Sequence, residues 1–148
     1  MASRLDPGVA DRLLTVLLRL MGTSSLTALL FVAAPHEWMT SIHAGLGLGP
    51  MPESPVVWYL ARSTSAFYAL LGGLFWVVSL DLKRHRKVLD YLGIVIPLLG
   101  ATLFAIDFSE GLPAFWTYWE GPFVFAFGVA MFWLNRSGEM QDQQSSHG

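Results

Sequence analysis

The chain has 148 residues, of which 53% are hydrophobic and only 14% are charged, and its formal net charge is -2. This composition excludes an ordinary soluble domain and is typical of a small membrane protein with a single domain. The sequence has no Cys, which excludes disulfides, thiolate metal sites and thiol nucleophiles.

Four apolar stretches are long enough to span a membrane as helices, because a bilayer core about 30 Å thick needs about 20 helical residues. They are Leu13–Ala34, Val56–Leu80, Val88–Phe108 and Phe115–Leu134. Gly and Pro within them argue against strands and are tolerated in spanning helices, where neighbouring groups satisfy the backbone. The sequence therefore predicts an all-α integral membrane four-helix bundle, with one transmembrane domain over residues 1–136.

The first stretch has a second interpretation as a cleaved signal peptide, since Val32-Ala33-Ala34 resembles a small-residue cleavage site. Cleavage there would leave Pro35 as the first mature residue, a position where Pro is poorly accepted. The apolar run is also long for a signal sequence. We favour a spanning helix.

The connection between the first two helices is predicted to contain a short interfacial helix over His36–Leu46, with Trp38, Met39 and Ile42 on one side. His36 and His43 raise the question of a metal or haem, because imidazole is a common ligand. Seven helical residues separate them by about 10 Å along the axis. That distance is too long for one shared ion, so we expect no metal site.

The basic residues predict the orientation of the bundle, since Lys and Arg collect on the cytoplasmic side. Eight of the nine lie on one side of the predicted bundle, namely Arg4, Arg12, Arg19, Lys83, Arg84, Arg86, Lys87 and Arg136. We expect both termini and the Lys83–Lys87 loop to be cytoplasmic. The loop is a topology signal or a site for anionic lipid headgroups, and nucleic acid is not expected as a partner. The tail, residues 137–148, is rich in Gln and Ser and is expected to be disordered.

Arg62 and Glu120 are charges inside apolar stretches, where a charge costs roughly 2.5–3.5 kcal/mol on insertion scales. Each lies some five residues, or about 7–8 Å, inside the predicted external end of its helix. Their matching depths favour a pair, and Asp107 would emerge nearby. A structural ion pair, a functional pocket and independent snorkelling all remain open. The candidate pocket residues are Arg62, Glu120, Asp107, Ser63, Tyr59 and His36.

Two motifs, Ile42-His43-Ala44-Gly45-Leu46-Gly47-Leu48-Gly49-Pro50 and Tyr59-Leu60-Ala61-Arg62-Ser63-Thr64, resemble an uncharacterised group of bacterial membrane proteins. The Gly72-Gly73 pair and the last helix, which starts at Glu120-Gly121-Pro122, resemble the broader DoxX-like set of small four-helix proteins. This resemblance implies a multi-pass protein of the bacterial inner membrane. Members of the wider set are linked to quinol oxidation complexes and to thiol stress, but this chain has no Cys for thiol chemistry.

The sequence contains no Walker-type phosphate loop, Gly-x-Ser-x-Gly elbow, His-Glu-x-x-His site or dinucleotide fingerprint, so we do not expect an enzyme. It indicates no specific cofactor. Three functions stay open: an accessory or scaffold subunit that self-associates or joins a larger membrane complex, a lipid- or quinone-binding oxidoreductase accessory protein that uses the charged pocket, and a small transporter or proton path. The lipid bilayer is the one partner common to all three.

Overall fold

The computed structural model describes residues 7–145, with side chains described for residues 8–139. Over this range the chain forms seven helical segments and no strand, which confirms the predicted all-α class. The segments are α1 (Pro7–Thr27), α2 (Leu29–Val32), α3 (His36–Gly45), α4 (Pro55–Leu80), α5 (Arg86–Ser109), α6 (Ala114–Thr117) and α7 (Glu120–Ser145).

The predicted first and fourth helices each consist of two segments. The first begins six residues earlier than expected, at Pro7, because Pro suits the first turn of a helix, where the backbone N–H has no partner to lose. It is interrupted at Ala28, whose N–H donates to the Ser25 carbonyl at 3.2 Å. The fourth is divided at Tyr118 and Trp119 into the single turn α6 and the long α7.

Helix α7 continues to Ser145, into the tail that the sequence predicts to be disordered. Gly138 is buried there, and a Cβ atom at this position would meet Asp11 Oδ1 and the guanidinium of Arg86. The absence of a side chain lets α7 approach these residues closely, which anchors the segment after the apolar part of the helix. Residues 146–148 lie outside the described residues.

Within residues 7–145, three helical spans are long and apolar enough to cross a membrane: Gly8–Val32, Pro55–Leu80 and Arg86–Ser109. Their surfaces carry large exposed apolar side chains, such as Leu30 at 73% exposure, Phe67 at 71% and Leu98 at 61%. Each such side chain would forgo about 1.5–3 kcal/mol of burial in water, so these surfaces are suited to hydrocarbon. The predicted fourth span, α7, is not among the three, since Glu120 begins it and Asn135 and Arg136 interrupt its second half.

The chain divides into two compact units. Unit 1 comprises Met1–Leu18 with Val78–Gly148, and unit 2 comprises Arg19–Val77. In unit 1, α5 packs along α7 through residues that leave little space between the backbones. A Cβ atom at Gly121 would lie 2.8 Å from the Gly100 carbonyl oxygen, and one at Gly128 would overlap the Pro97 ring. Small residues at this seam allow the close helix approach that stabilises packing between spanning helices.

In unit 2, the second half of α1 packs on α4 through a similar close approach. A Cβ atom at Gly72 would lie 2.7 Å from the Gly22 carbonyl oxygen. Beside this crossing, Trp76 Nε1 donates to Thr23 Oγ1 at 3.2 Å, and the Arg19 guanidinium lies 5.4 Å from the centre of the Trp76 ring. These contacts fix how α1 approaches α4, and therefore where the chain leaves α2 for α3.

The predicted short helix is present as α3, His36–Gly45, which is one residue shorter than expected. Its apolar side is partly packed, since Met39 is buried while Trp38 and Ile42 are exposed. After the helix the chain turns through Gly47 and Gly49, which both have positive φ angles. The His43 ring nitrogen Nδ1 lies 2.9 Å from the Gly49 carbonyl oxygen and holds this turn against α3.

Candidate functional site

Four of the six predicted pocket residues line one groove in unit 2. The groove has a volume of about 620 Å³. Its lining comprises His36, Tyr59, Arg62 and Ser63 together with Val32, Pro55, Trp58 and Ala66. This volume lies within the roughly 300–1,000 Å³ that is typical of small-molecule sites. The structure therefore brings together the part of the predicted pocket that belongs to α3 and α4.

The spacing of residues on α4 explains how the groove forms. Tyr59, Arg62, Ser63 and Ala66 are three or four residues apart and lie on one face of the helix. The Ser63 hydroxyl donates to the Tyr59 carbonyl at 2.8 Å, as hydroxyls in apolar helices commonly do. Its proton is therefore occupied, and its oxygen keeps lone pairs that can accept hydrogen bonds.

Arg62 is the only charged residue that lines this groove. Its Nη2 donates to the Ala34 carbonyl at 3.2 Å, and its buried Nε has no hydrogen-bond partner in the described part of the chain. Within Arg19–Val77, no carboxylate lies at ion-pair distance from the guanidinium. A guanidinium has five N–H donors. Among the described residues, only the Ala34 carbonyl accepts a hydrogen bond from these donors.

The start of α3 adds a second source of N–H donors near Arg62. Ala34, which accepts from Arg62, comes two residues before His36, the first residue of α3. The N-cap residue of α3 is Pro35, which makes no side-chain capping bond. The first N–H groups of a helix have no intrahelical acceptor, and the helix dipole is positive at this end. Arg62 and the start of α3 together favour an anionic or strongly accepting group.

A second cleft, of about 590 Å³, shares three residues with the groove. The shared residues are His36, Pro55 and Trp58, and the rings of His36 and Trp58 are stacked at 3.9 Å with an angle of 14° between them. The remaining lining residues are Glu37, Thr40, Ser41, Met51, Glu53 and Ser54. The stacked rings join α3 to α4 and form a wall common to both cavities.

A separate apolar depression of about 860 Å³ lies further along α4. It is lined by Phe67, Ala69, Leu70, Leu71, Gly73, Leu74 and Val77, all on α4. Ala66, Leu70, Gly73 and Val77 follow the same helical spacing as the groove residues. From Arg62 to Val77 the continuous face is about 22 Å long at 1.5 Å per residue.

Asp107 and Glu120, the other two predicted pocket residues, belong to unit 1. Glu120 Oε2 accepts a hydrogen bond from Trp116 Nε1 at 2.5 Å. The side chain of Asp107 is buried, and its Oδ2 has no hydrogen-bond partner among residues 8–139. The predicted Arg62–Glu120 pair remains a prediction.

No group of three or more His, Asp or Glu side chains that could hold a metal ion occurs in the described part of the chain. His43 is engaged with the Gly49 carbonyl, while His36 is stacked on Trp58. The two imidazoles therefore serve separate local contacts.

The prediction from sequence missed a polar network in unit 1 that involves Asp11, Arg86, Asp90 and Asn135. Arg86 Nη2 contacts Asp11 Oδ1 at 2.8 Å and Oδ2 at 2.9 Å, and Arg86 Nη1 donates to Asn135 Oδ1 at 3.1 Å. Asn135 Nδ2 in turn donates to Asp90 Oδ1 at 2.9 Å. The sequence places Arg86 in the basic loop, whereas in the structure it is the first residue of α5 and is only 8% exposed. This network ties the start of α1 to α5 and α7.

One signal could have revealed this network. Arg86 and Asp90 are four residues apart, so they share a face of α5 with the apolar residues that pack inward. A charged pair at that spacing on a packed face requires polar partners from other helices, since a buried polar group without them costs free energy.

Comparisons of the chain with protein-family models, with curated proteins and with solved structures returned no match. The DoxX-like resemblance therefore remains a prediction from the sequence motifs.

Proposed function

We propose that this chain is a non-enzymatic integral membrane protein that binds the headgroup of a membrane amphiphile, a lipid or a quinone, at Arg62. The observation that carries the proposal is the Arg62 guanidinium, which has one hydrogen bond within its unit and lies at the head of a continuous apolar face. The protein would be a four-helix bundle of the bacterial inner membrane, with both termini cytoplasmic and the groove at the external end. The concentration of basic residues on one side supports this orientation.

The chemistry of the groove fits an amphiphile rather than a soluble metabolite. Phosphate and carbonyl oxygens accept charge-assisted hydrogen bonds from a guanidinium, and these bonds are about twice as strong as neutral ones. The neighbouring depression at Leu70 and Gly73 offers an apolar surface for an acyl or isoprenoid tail. A ligand with both parts would satisfy Arg62 and cover the apolar face at once.

A scaffold function is the second candidate, and Gly73 supports it. A Cβ atom at Gly73 would meet no atom within 4 Å, so α4 is open at Gly73 to a helix of another copy or of a larger complex, while Ala69, one turn earlier, is buried. Small residues at this spacing are typical of contacts between spanning helices. The two candidate functions differ in the role of Arg62. Headgroup binding requires its guanidinium, whereas packing of a helix at Gly73 does not.

Native mass spectrometry of the purified protein tests the proposal. Lipids and quinones that co-purify with the wild-type chain are compared with those bound to Arg62→Gln. Arg12→Gln serves as the matched control, because it removes the same charge from an exposed residue that lines neither cavity. We expect one bound amphiphile with the wild type and the control, and loss of most of it with Arg62→Gln. Equal retention by all three would refute a headgroup site at Arg62.

A further inference from the structure

The two cavities that meet at the His36–Trp58 stack offer opposite chemistry. The groove contains Arg62 as its single charged residue, and the second cleft contains two carboxylates, Glu37 and Glu53. We infer that the ligand is a zwitterionic aminophospholipid, with its phosphate at Arg62 and its primary ammonium in the second cleft. This inference rests on the proposed function and specifies which amphiphile the same site prefers.

Two hydroxyls and two carboxylates that line the second cleft can act as acceptors. Thr40 Oγ1 donates to the His36 carbonyl at 2.9 Å, and Ser41 Oγ donates to the Glu37 carbonyl at 2.7 Å. Both hydroxyl protons are therefore occupied, and only the oxygen lone pairs remain for a ligand. Ionised carboxylates also only accept hydrogen bonds. A ligand group in this cleft is best satisfied if it donates several hydrogen bonds.

A primary ammonium meets this requirement because it has three N–H donors and a positive charge. Glu37 and Glu53 are exposed, and neither carboxylate has a hydrogen bond or ion pair with any residue in the described range. The Trp58 ring lines the same cleft, and indole rings attract cations. A divalent metal ion is a poorer occupant, since no three ligating side chains converge among the residues described.

The phosphate of the same headgroup fits the other side of the stack. A guanidinium matches phosphate oxygens through two parallel N–H bonds, which a point charge such as Lys cannot reproduce. Arg62 reaches the Ala34 carbonyl, and the uncapped start of α3 follows two residues later. Glu37 is the second residue of α3, so the helix itself links the phosphate position to the acceptor cleft.

The test compares two phospholipids that carry the same phosphate and acyl chains but differ in the ammonium. Phosphatidylethanolamine and phosphatidylglycerol are titrated separately against the purified full chain, and the bound fraction is measured by native mass spectrometry. The variants are Glu37→Gln, Glu53→Gln and Glu53→Lys. Glu110→Gln is the control, because Glu110 is an exposed carboxylate that lines neither cavity. All three positions are exposed, so these changes leave folding intact.

We expect the wild type and the control to prefer phosphatidylethanolamine by roughly fivefold, as one exposed charge interaction supports. Each Gln variant should reduce this preference towards equality, and Glu53→Lys should reverse it in favour of phosphatidylglycerol. If both lipids bind the wild type equally and the variants change nothing, the ammonium site is refuted while the headgroup site at Arg62 stands. If neither lipid binds the wild type, the proposed function itself fails.

Discussion

Gly72 and Gly73 are neighbours on α4 that should respond in opposite ways to the same substitution. A Cβ atom at Gly72 would lie 2.7 Å from the Gly22 carbonyl oxygen, 2.9 Å from the Leu26 nitrogen and 3.0 Å from the Ser25 Cβ. Ordinary contacts begin at 3.4 Å, so Gly72→Ala requires α1 and α4 to separate by several tenths of an ångström. Two of the three neighbouring atoms are backbone, which cannot rotate away as a side chain can.

The expected cost of Gly72→Ala is that of an overpacked contact, about 1–3 kcal/mol. At about 2–4 °C per kcal/mol for a chain of this size, a mid-range cost lowers the melting temperature by about 4–8 °C. Gly73→Ala meets no atom within 4 Å and gains helix propensity of about 0.5–1 kcal/mol. Its melting temperature should therefore equal or exceed that of the wild type.

The assay is thermal unfolding of both variants in the same detergent, followed by circular dichroism. A fall with Gly72→Ala and none with Gly73→Ala would support the Gly22–Gly72 crossing as the contact that fixes α1 on α4. Equal falls for both variants would refute it, because Gly73 has no neighbour to displace.

Three further predictions concern charged residues. Arg86→Leu should destabilise the protein by about 3 kcal/mol in thermal or denaturant unfolding, because it leaves Asp11 and Asn135 without their guanidinium partner; a change below about 0.5 kcal/mol, the usual range for surface substitutions, would contradict this. Asp107→Asn should raise the melting temperature, since it replaces a buried carboxylate whose Oδ2 lacks a partner among residues 8–139; a fall would indicate that Asp107 pairs with a cation. For the predicted Arg62–Glu120 pair, single and double replacements by Leu should be non-additive in melting experiments, and simple additivity would show that the two residues are not in contact.

Helices α4 and α5 could be predicted from the sequence because their apolar stretches are long and are bounded by Pro or charged residues. Val56–Leu80 and Val88–Phe108 were expected and differ from α4 and α5 by at most two residues at either end. The short helix after Pro35 was also expected, since Pro35 precedes it and several glycines follow. The extension of α7 to Ser145 was missed, because its polar composition resembles a disordered tail and the buried position of Gly138 depends on tertiary contacts.

Part of the groove lining could be placed on one helix face from the sequence. Tyr59, Arg62 and Ser63 follow helical spacing, so their shared face could be inferred from the chain alone. The acceptor cleft could not, because it depends on how the loop that carries Glu53 folds back towards α3 and on the stacking of His36 against Trp58. Neither contact has a local signature in sequence.

The most direct test of the headgroup site is photo-crosslinking from two adjacent positions on α4. A photoreactive amino acid replaces Ser63, which lines the groove, or Thr64, which is exposed but lines none of the cavities described above. The purified chain is loaded with increasing amounts of one phospholipid in detergent, and adducts are counted by mass spectrometry. We predict a saturable adduct of one lipid per chain from position 63 and only weak, non-saturating labelling from position 64. Equal, non-saturating labelling from both positions would contradict a specific site at Arg62.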